Sequence, residues 1–259
     1  MTPIKDRVAE IRLNGYPLDF GTVFEHAFEN YKKIALYAGL LLFVFSILSI
    51  IFLSMGLVSY IGVKNLEAFN NNIQNLQSLK TLPTDILVPM QVGTILTSSL
   101  LAPFIAGFLK MADCGEKGEE FHVAAMFNYY KAPYFWNIFS ATLLLSIFRS
   151  GLALLLQLSG FEIAGFFVSL AILFLTFLTI PLIIFGKLNT IDAIKSSIII
   201  VSKQPLVILG LLVIAIIAVF IGIFGLCIGI FFTYPFIYSM NYAIYSSVIG
   251  IDSEDESKE

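Results

Sequence analysis

Residues Pro205–Val248 read PLVILGLLVIAIIAVFIGIFGLCIGIFFTYPFIYSMNYAIYSSV, 44 residues without a charged side chain. A helix crosses the hydrocarbon core of a bilayer with about 20 mostly apolar residues. The run is too long for one crossing and long enough for two. Gly225-Leu226-Cys227-Ile228-Gly229 lies near its middle, and two glycines there admit a tight turn. The stretch is therefore read as a membrane hairpin, with one span from Pro205 to about Phe224 and another from about Cys227 to Val248. This reading is preferred over a single tilted, kinked helix with an interfacial tail.

The rest of the chain has the same character. Hydrophobic residues make up 58% of the 259 and charged residues 13%, against about 25% charged in a soluble domain. Mean hydropathy is +0.89. The apolar residues come in blocks and do not alternate with polar ones, which favours helices over an outer-membrane barrel. Four more spans are expected: Ile34 to about Tyr60, Val88 to about Ala112, Tyr134 to about Leu158, and Phe161 to Gly186. The first 18 residues hold no apolar core of the kind a signal peptide needs. No Asn-x-Ser/Thr sequon occurs, which fits a bacterial protein.

The basic residues orient these six spans. Lys5, Arg7, Arg12, Lys32 and Lys33 precede the first span. Lys110, Lys117 and Lys131 follow the second; Lys187, Lys195 and Lys203 follow the fourth; Lys258 is in the tail. Only Lys64 and Lys80 fall on the opposite side, and Arg149 lies within a span. Basic residues concentrate on the cytoplasmic side, so both termini are expected there, in a bacterial inner membrane. The net charge of -3, with no basic stripe, argues against a nucleic-acid partner. Cys114 and Cys227 fall at different depths, so no disulfide is expected between them.

Three stretches before the odd-numbered spans read as interfacial amphipathic helices. The first begins after Asp19, an N-cap, with Phe20, Val23, Phe24, Ala27, Phe28 and Tyr31 on one face. Glu25, His26, Glu29 and Asn30 point away from it. The second carries Val123, Met126, Phe127 and Tyr130, and the third Ile191, Ile194, Ile198 and Val201 after Asn189. One fixed offset matches Phe24, Phe28, Tyr31 and Lys32 to Val123, Phe127, Tyr130 and Lys131. A second matches Asp19, Phe24, Phe28, Tyr31 and Lys33 to Asn189, Ile194, Ile198, Val201 and Lys203. Each stretch precedes two spans, and the second span of each pair holds a proline: Pro103, Pro181 or Pro235. The expected fold is all-α integral membrane: six transmembrane helices as three parallel repeats of interfacial helix plus hairpin, at about 19–113, 119–187 and 189–249. Residues 64–88 form one long Asn- and Gln-rich loop, 1–18 a cytoplasmic N-terminal segment, and 250–259 an acidic cytoplasmic tail.

Asp192-Ala193-Ile194-Lys195-Ser196-Ser197, Phe224-Gly225-Leu226-Cys227-Ile228-Gly229, Thr233-Tyr234-Pro235 and Ala243-Ile244-Tyr245 together resemble a diffuse set of bacterial six-helix membrane families of unknown function. One of these is named for the membrane domain beside some glycerophosphoryl diester phosphodiesterases. The resemblance covers the last two units best and implies the six-helix fold. Its motifs are structural and carry no phosphodiesterase activity to this chain.

Chemistry-bearing patterns are sparse. His26 and His122 are the two histidines, too few for a membrane di-iron site, and both read as solvated. Gly-x-Ser-x-Gly, His-Glu-x-x-His and the phosphate-binding Gly-x-x-x-x-Gly-Lys-Ser/Thr are absent. Arg149 is the one charge well inside a span. It either snorkels to the outer interface or pairs with Glu162 across the hairpin, and the first reading is preferred. Gly222, Gly225 and Gly229 suit close helix approach as well as the turn. The prolines kink their helices and free backbone carbonyls, which either outline a central cavity or only set packing geometry. No cofactor is expected. The function expected is non-enzymatic: scaffold, assembly or regulatory component of a membrane complex, in contact with lipid and with a membrane protein partner or its own copies. The alternative is a small permease or lipid-handling protein with a site at the bundle centre.

Overall fold

The structure is a computed structural model and describes residues 4–61, 84–225 and 228–250. Most of the expected polar loop, Leu226, Cys227 and the acidic tail from Ile251 lie outside the described residues. All regular elements among them are helical. In order they are α1 (Ile4–Asn14), α2 (Phe20–Ile61), α3 (Thr84–Lys117) and α4 (Val123–Met126), which runs into a 3-10 turn at Phe127–Tyr130. Then come α5 (Tyr134–Leu158), α6 (Glu162–Leu175), α7 (Thr179–Ile184) and α8 (Thr190–Lys203). The chain ends with α9 (Pro205–Ile221), a 3-10 turn at Gly222–Phe224, α10 (Gly229–Thr233) and α11 (Pro235–Ile249). Five stretches are long and apolar enough to cross a membrane: Phe20–Phe52, Gln91–Lys117, Tyr134–Leu158, Glu162–Ile184 and Pro205–Phe224.

Local chemistry sets the helix ends. Asp19 Oδ1 accepts from the Thr22 amide and hydroxyl, each at 2.8 Å, and these bonds hold its carboxyl below the ordinary aspartate range. Asn189 Oδ1 accepts from the Asp192 amide at 2.9 Å at the start of α8. Asp19 was legible as an N-cap from residue type, and Asn189 as its match in the repeat. Gly160, with φ +82°, closes α5, and the Phe161 amide returns to Leu156 O at 2.8 Å. The first expected interfacial helix and the first span are not separate: α2 is one helix of 42 residues. At about 1.5 Å per residue it is roughly twice as long as a bilayer core is thick, so a large part of it projects beyond the hydrocarbon.

The buried core sits at one end, the end that carries most of the lysines and arginines. It collects Ile11 of α1, Val23, Ala27 and Ile34 of α2, Phe108 and Met111 of α3, Leu182 of α7, Ile200 of α8 and most of α11. Toward the other end the same helices present large apolar side chains outward: Val44, Ile51 and Phe52 of α2, Leu155 and Leu158 of α5, Phe166 and Phe167 of α6, Ile217 and Phe220 of α9. Only 17% of the most apolar stretch of α2 is buried inside the protein. Lipid tails are as apolar as these side chains, so the hydrophobic effect does not drive them together within the membrane. At the charged end water supplies that drive.

Several expectations are corrected. Asn30 does not point outward; it is fully buried, while Phe20 and Phe28 are exposed. The buried face of α2 runs Val23, Ala27, Asn30, Ile34, Ala38, and the large aromatics lie on its edge. In α8, likewise, Ala193, Ser197 and Ile200 are buried, whereas Ile191 and Ile198 are exposed. The N-terminal segment is folded: α1 packs under α8 through the Lys5–Asp192 ion pair at 2.6 Å and buries Val8 and Ile11. The chain reverses between Gly222 and Gly229, but Gly225 has an ordinary φ of -81°. The glycine requirement lies at the crossing point instead. A Cβ on Gly222 would collide with Thr233 Oγ1 and lie 2.9 Å from the Gly229 carbonyl, and a Cβ on Gly229 would collide with the Gly222 carbonyl oxygen.

Candidate functional site

The three prolines are buried on α3, α7 and α11, helices that contact one another pairwise. Each break in the backbone ladder is met by a side chain. The Tyr130 hydroxyl donates to Leu100 O at 3.0 Å, three residues before Pro103. The Tyr31 hydroxyl donates to Phe232 O at 3.0 Å, three residues before Pro235. Asn241 Nδ2 donates to Phe177 O at 3.4 Å, four residues before Pro181. Ser197 Oγ, in the same break, donates to Leu175 O at 2.9 Å and accepts from the Leu178 amide at 3.2 Å. Apolar and aromatic side chains fill this region: Phe108 stacks on Tyr238 with centroids 4.9 Å apart, within one continuous buried cluster that includes Leu182 and Met240. At least one carbonyl beside each proline is therefore capped by the protein itself.

The concentrated polar chemistry lies at the charged end, where α2, α3 and α11 meet. Asn30 Nδ2 donates to Ala112 O at 2.7 Å and Glu116 Oε2 at 3.3 Å, and Asn30 Oδ1 accepts from Ser239 Oγ at 2.9 Å. One helical turn away Asp113, 2% exposed, takes Lys110 Nζ at 2.6 Å and Lys117 Nζ at 3.5 Å. It also accepts from the Tyr242 hydroxyl at 3.2 Å. A buried carboxylate persists only when paired and hydrogen-bonded, and these three donors supply that. His26 Nε2 sits 3.0 Å from Glu116 Oε1 but outside hydrogen-bond geometry. Burial pushes the nearby Tyr129 hydroxyl far above its ordinary pKa, with Tyr134, Asp113 and Cys114 adding to the effect, so it stays protonated. Beside this cluster is a cavity of about 310 Å³ between α2 and α3, lined by Lys33, Tyr37, Met111, Glu120, Phe121 and His122 among others.

The remaining expected site residues lie elsewhere. Arg149 is half-buried on α5, Glu162 is exposed at the start of α6, and neither enters an ion pair among the described residues. Gly229 packs against Gly222. His26 joins the polar cluster and His122 the cavity rim. No group of three or more His, Cys, Asp or Glu among the described residues is arranged to hold a metal ion. Sequence reasoning missed Asn30, Asp113, Ser239 and Tyr242. Asp113 had a signal: Lys110 and Lys117 lie three and four residues away on the same helical face. Comparison with family models, curated proteins and solved structures yields no match.

Proposed function

We propose that the chain crosses a bacterial inner membrane six times with both termini cytoplasmic and acts as a non-enzymatic scaffold, assembly or regulatory component of a membrane complex. The resemblance to six-helix bacterial membrane families belongs to the same reading. The sixth crossing would be α10 plus α11, broken at Tyr234. Its Ser239 and Tyr242 face the protein interior, so it need not be as apolar as a lipid-facing helix.

The observation that carries the reading is the closure of the bundle by its own side chains. The proposed units cap one another in a ring: Tyr31 of the first unit reaches the proline break of the third, Tyr130 of the second reaches that of the first, and Ser197 of the third reaches that of the second. Tyr31 and Tyr130 occupy equivalent positions in the repeat. Ala27, Met126 and Ser197 are also equivalent, and all three are buried. This periodicity supports three tandem units. A closed, filled ring leaves its polar groups for one end, the end that the positive-inside rule places in the cytoplasm, where a partner would meet it.

Native mass spectrometry of the tagged protein, extracted gently from its own membrane, tests this. A stoichiometric protein partner, or a defined homo-oligomer, supports the scaffold. A partner-free monomer that holds one small molecule, and loses it in Tyr31→Phe or Asn241→Leu, would overturn it in favour of a permease with a site at the bundle centre.

A further inference from the structure

The cavity between α2 and α3 has a composition that the scaffold reading does not use. Its floor is apolar: Ile34 is 3% exposed and Met111 1%. One wall is aromatic, with Tyr37 and Phe121 edge to face at 6.0 Å and 73°. Charges of both signs stand on the rim: Lys33 against Glu119 and Glu120, with His122 beside them. Lys33, Glu120 and His122 enter no ion pair among the described residues. The His122 side chain also makes no capping bond to the helix it precedes.

The depth of the cavity identifies the class of ligand. It lies at the charged end of two membrane-spanning stretches, Phe20–Phe52 and Gln91–Lys117, where lipid headgroups are. Tyr37, Leu40, Val44, Ile47 and Ile51 follow one another at helical spacing down α2, and all are exposed. This apolar track leads from the cavity into the hydrocarbon. A volume of about 310 Å³ is at the lower end for small-molecule sites. It accommodates a phosphate and an amine, with the acyl chains left outside on the track.

We infer that this cavity is a headgroup site for a zwitterionic phospholipid carrying both a phosphate and an ammonium group. Lys33 takes the phosphate. Glu120 takes the ammonium, which also lies against the faces of Tyr37 and Phe121. A purely anionic headgroup meets the repulsion of Glu119 and Glu120, and a purely cationic ligand meets Lys33. A lipid with both charges satisfies both sides of the rim.

The test titrates the full-length protein in a non-ionic detergent with phosphatidylethanolamine and, separately, phosphatidylglycerol of the same chain length, read by native mass spectrometry. The expected result is one phosphatidylethanolamine held about fivefold more tightly than phosphatidylglycerol. Glu120→Gln should abolish that preference and Lys33→Gln should weaken the retention of both lipids, each variant leaving the weakly bound lipids unchanged in number, which also shows that the variants are folded. Equal retention of the two lipids overturns the assignment, as does a preference that survives in the double variant. Binding of water-soluble glycerophosphoethanolamine as tightly as the lipid would overturn it in favour of a soluble ligand.

Discussion

Replacing Asn30 by alanine removes a side chain that links α2, α3 and α11 through hydrogen bonds. Three bonds are lost: to Ala112 O at 2.7 Å, to Glu116 Oε2 at 3.3 Å and from Ser239 Oγ at 2.9 Å. The Glu116 side chain is 38% exposed, so its carboxylate turns to water at little cost. The Ser239 hydroxyl is fully buried and loses the acceptor it has in the native fold. An orphaned buried hydroxyl costs about 1–3 kcal/mol, and the lost bond to Ala112 adds about 1 kcal/mol. The sum, about 2–4 kcal/mol, lowers the melting temperature by about 4–16 °C in a protein of this size. Cys114 is buried, so a thiol-reactive fluorophore in mild detergent reports its exposure on heating, with Cys227→Ser as the parent to leave a single reporter. Ser239→Ala alone should cost about 1 kcal/mol. The double variant should lose less than the sum of the singles, because the orphan is gone. An Asn30→Ala protein melting within about 1 °C of the parent, or a strictly additive cycle, would refute the reasoning.

Three further outcomes are expected. Gly222→Ala forces a Cβ against Thr233 Oγ1 and the Gly229 backbone and should cost about 1–3 kcal/mol. Gly225→Ala, whose nearest contact is 3.2 Å, should cost clearly less; the same thermal assay ranks them, and equal losses would place the critical glycine at the turn. Arg149→Leu should leave expression and membrane insertion intact and stability within about 0.5 kcal/mol; loss of function at unchanged expression would give Arg149 a transport or coupling role. The Asp192 carboxyl is held below its ordinary pKa chiefly by its bond to Lys5. That contribution is present above the unfolded value of about 3.9 and is lost as pH falls through the lower folded value. Hydrogen exchange over residues 4–14, corrected for intrinsic rate, should therefore show α1 equally protected from pH 8 to pH 5 (roughly the window above that titration); loosening within it would show that another group holds α1.

Much of this molecule is legible in one dimension. Long uncharged runs have no stable home in water, so five membrane-spanning stretches follow from apolar length alone. Asp19 and Asn189 announce helix starts because their side chains satisfy amides that the helix leaves unpaired. The hairpin reversal was legible as a glycine-rich break, although glycine is required where Gly222 and Gly229 cross, because the crossing distance between two strands of chain is not a property of either one. Hydrophobic periodicity failed at one specific task, telling the inner face of a helix from the outer. In water only the inner face is apolar. In a bilayer both are, so Phe28 and Ile198 could face lipid while Ala27 and Ser197 faced the core.

Sequence by itself determined that this is a helical membrane protein, where its long apolar stretches run, and which end gathers the basic charge, because these depend on the free energy of each segment in its own solvent. Tertiary structure alone decided that Asn30 and Asp113 are interior groups, that side chains from elsewhere in the chain cap the proline breaks, and that Lys33, Tyr37 and Glu120 line one cavity. Those facts depend on which residues distant in the chain come within a few ångströms of one another, and packing sets that.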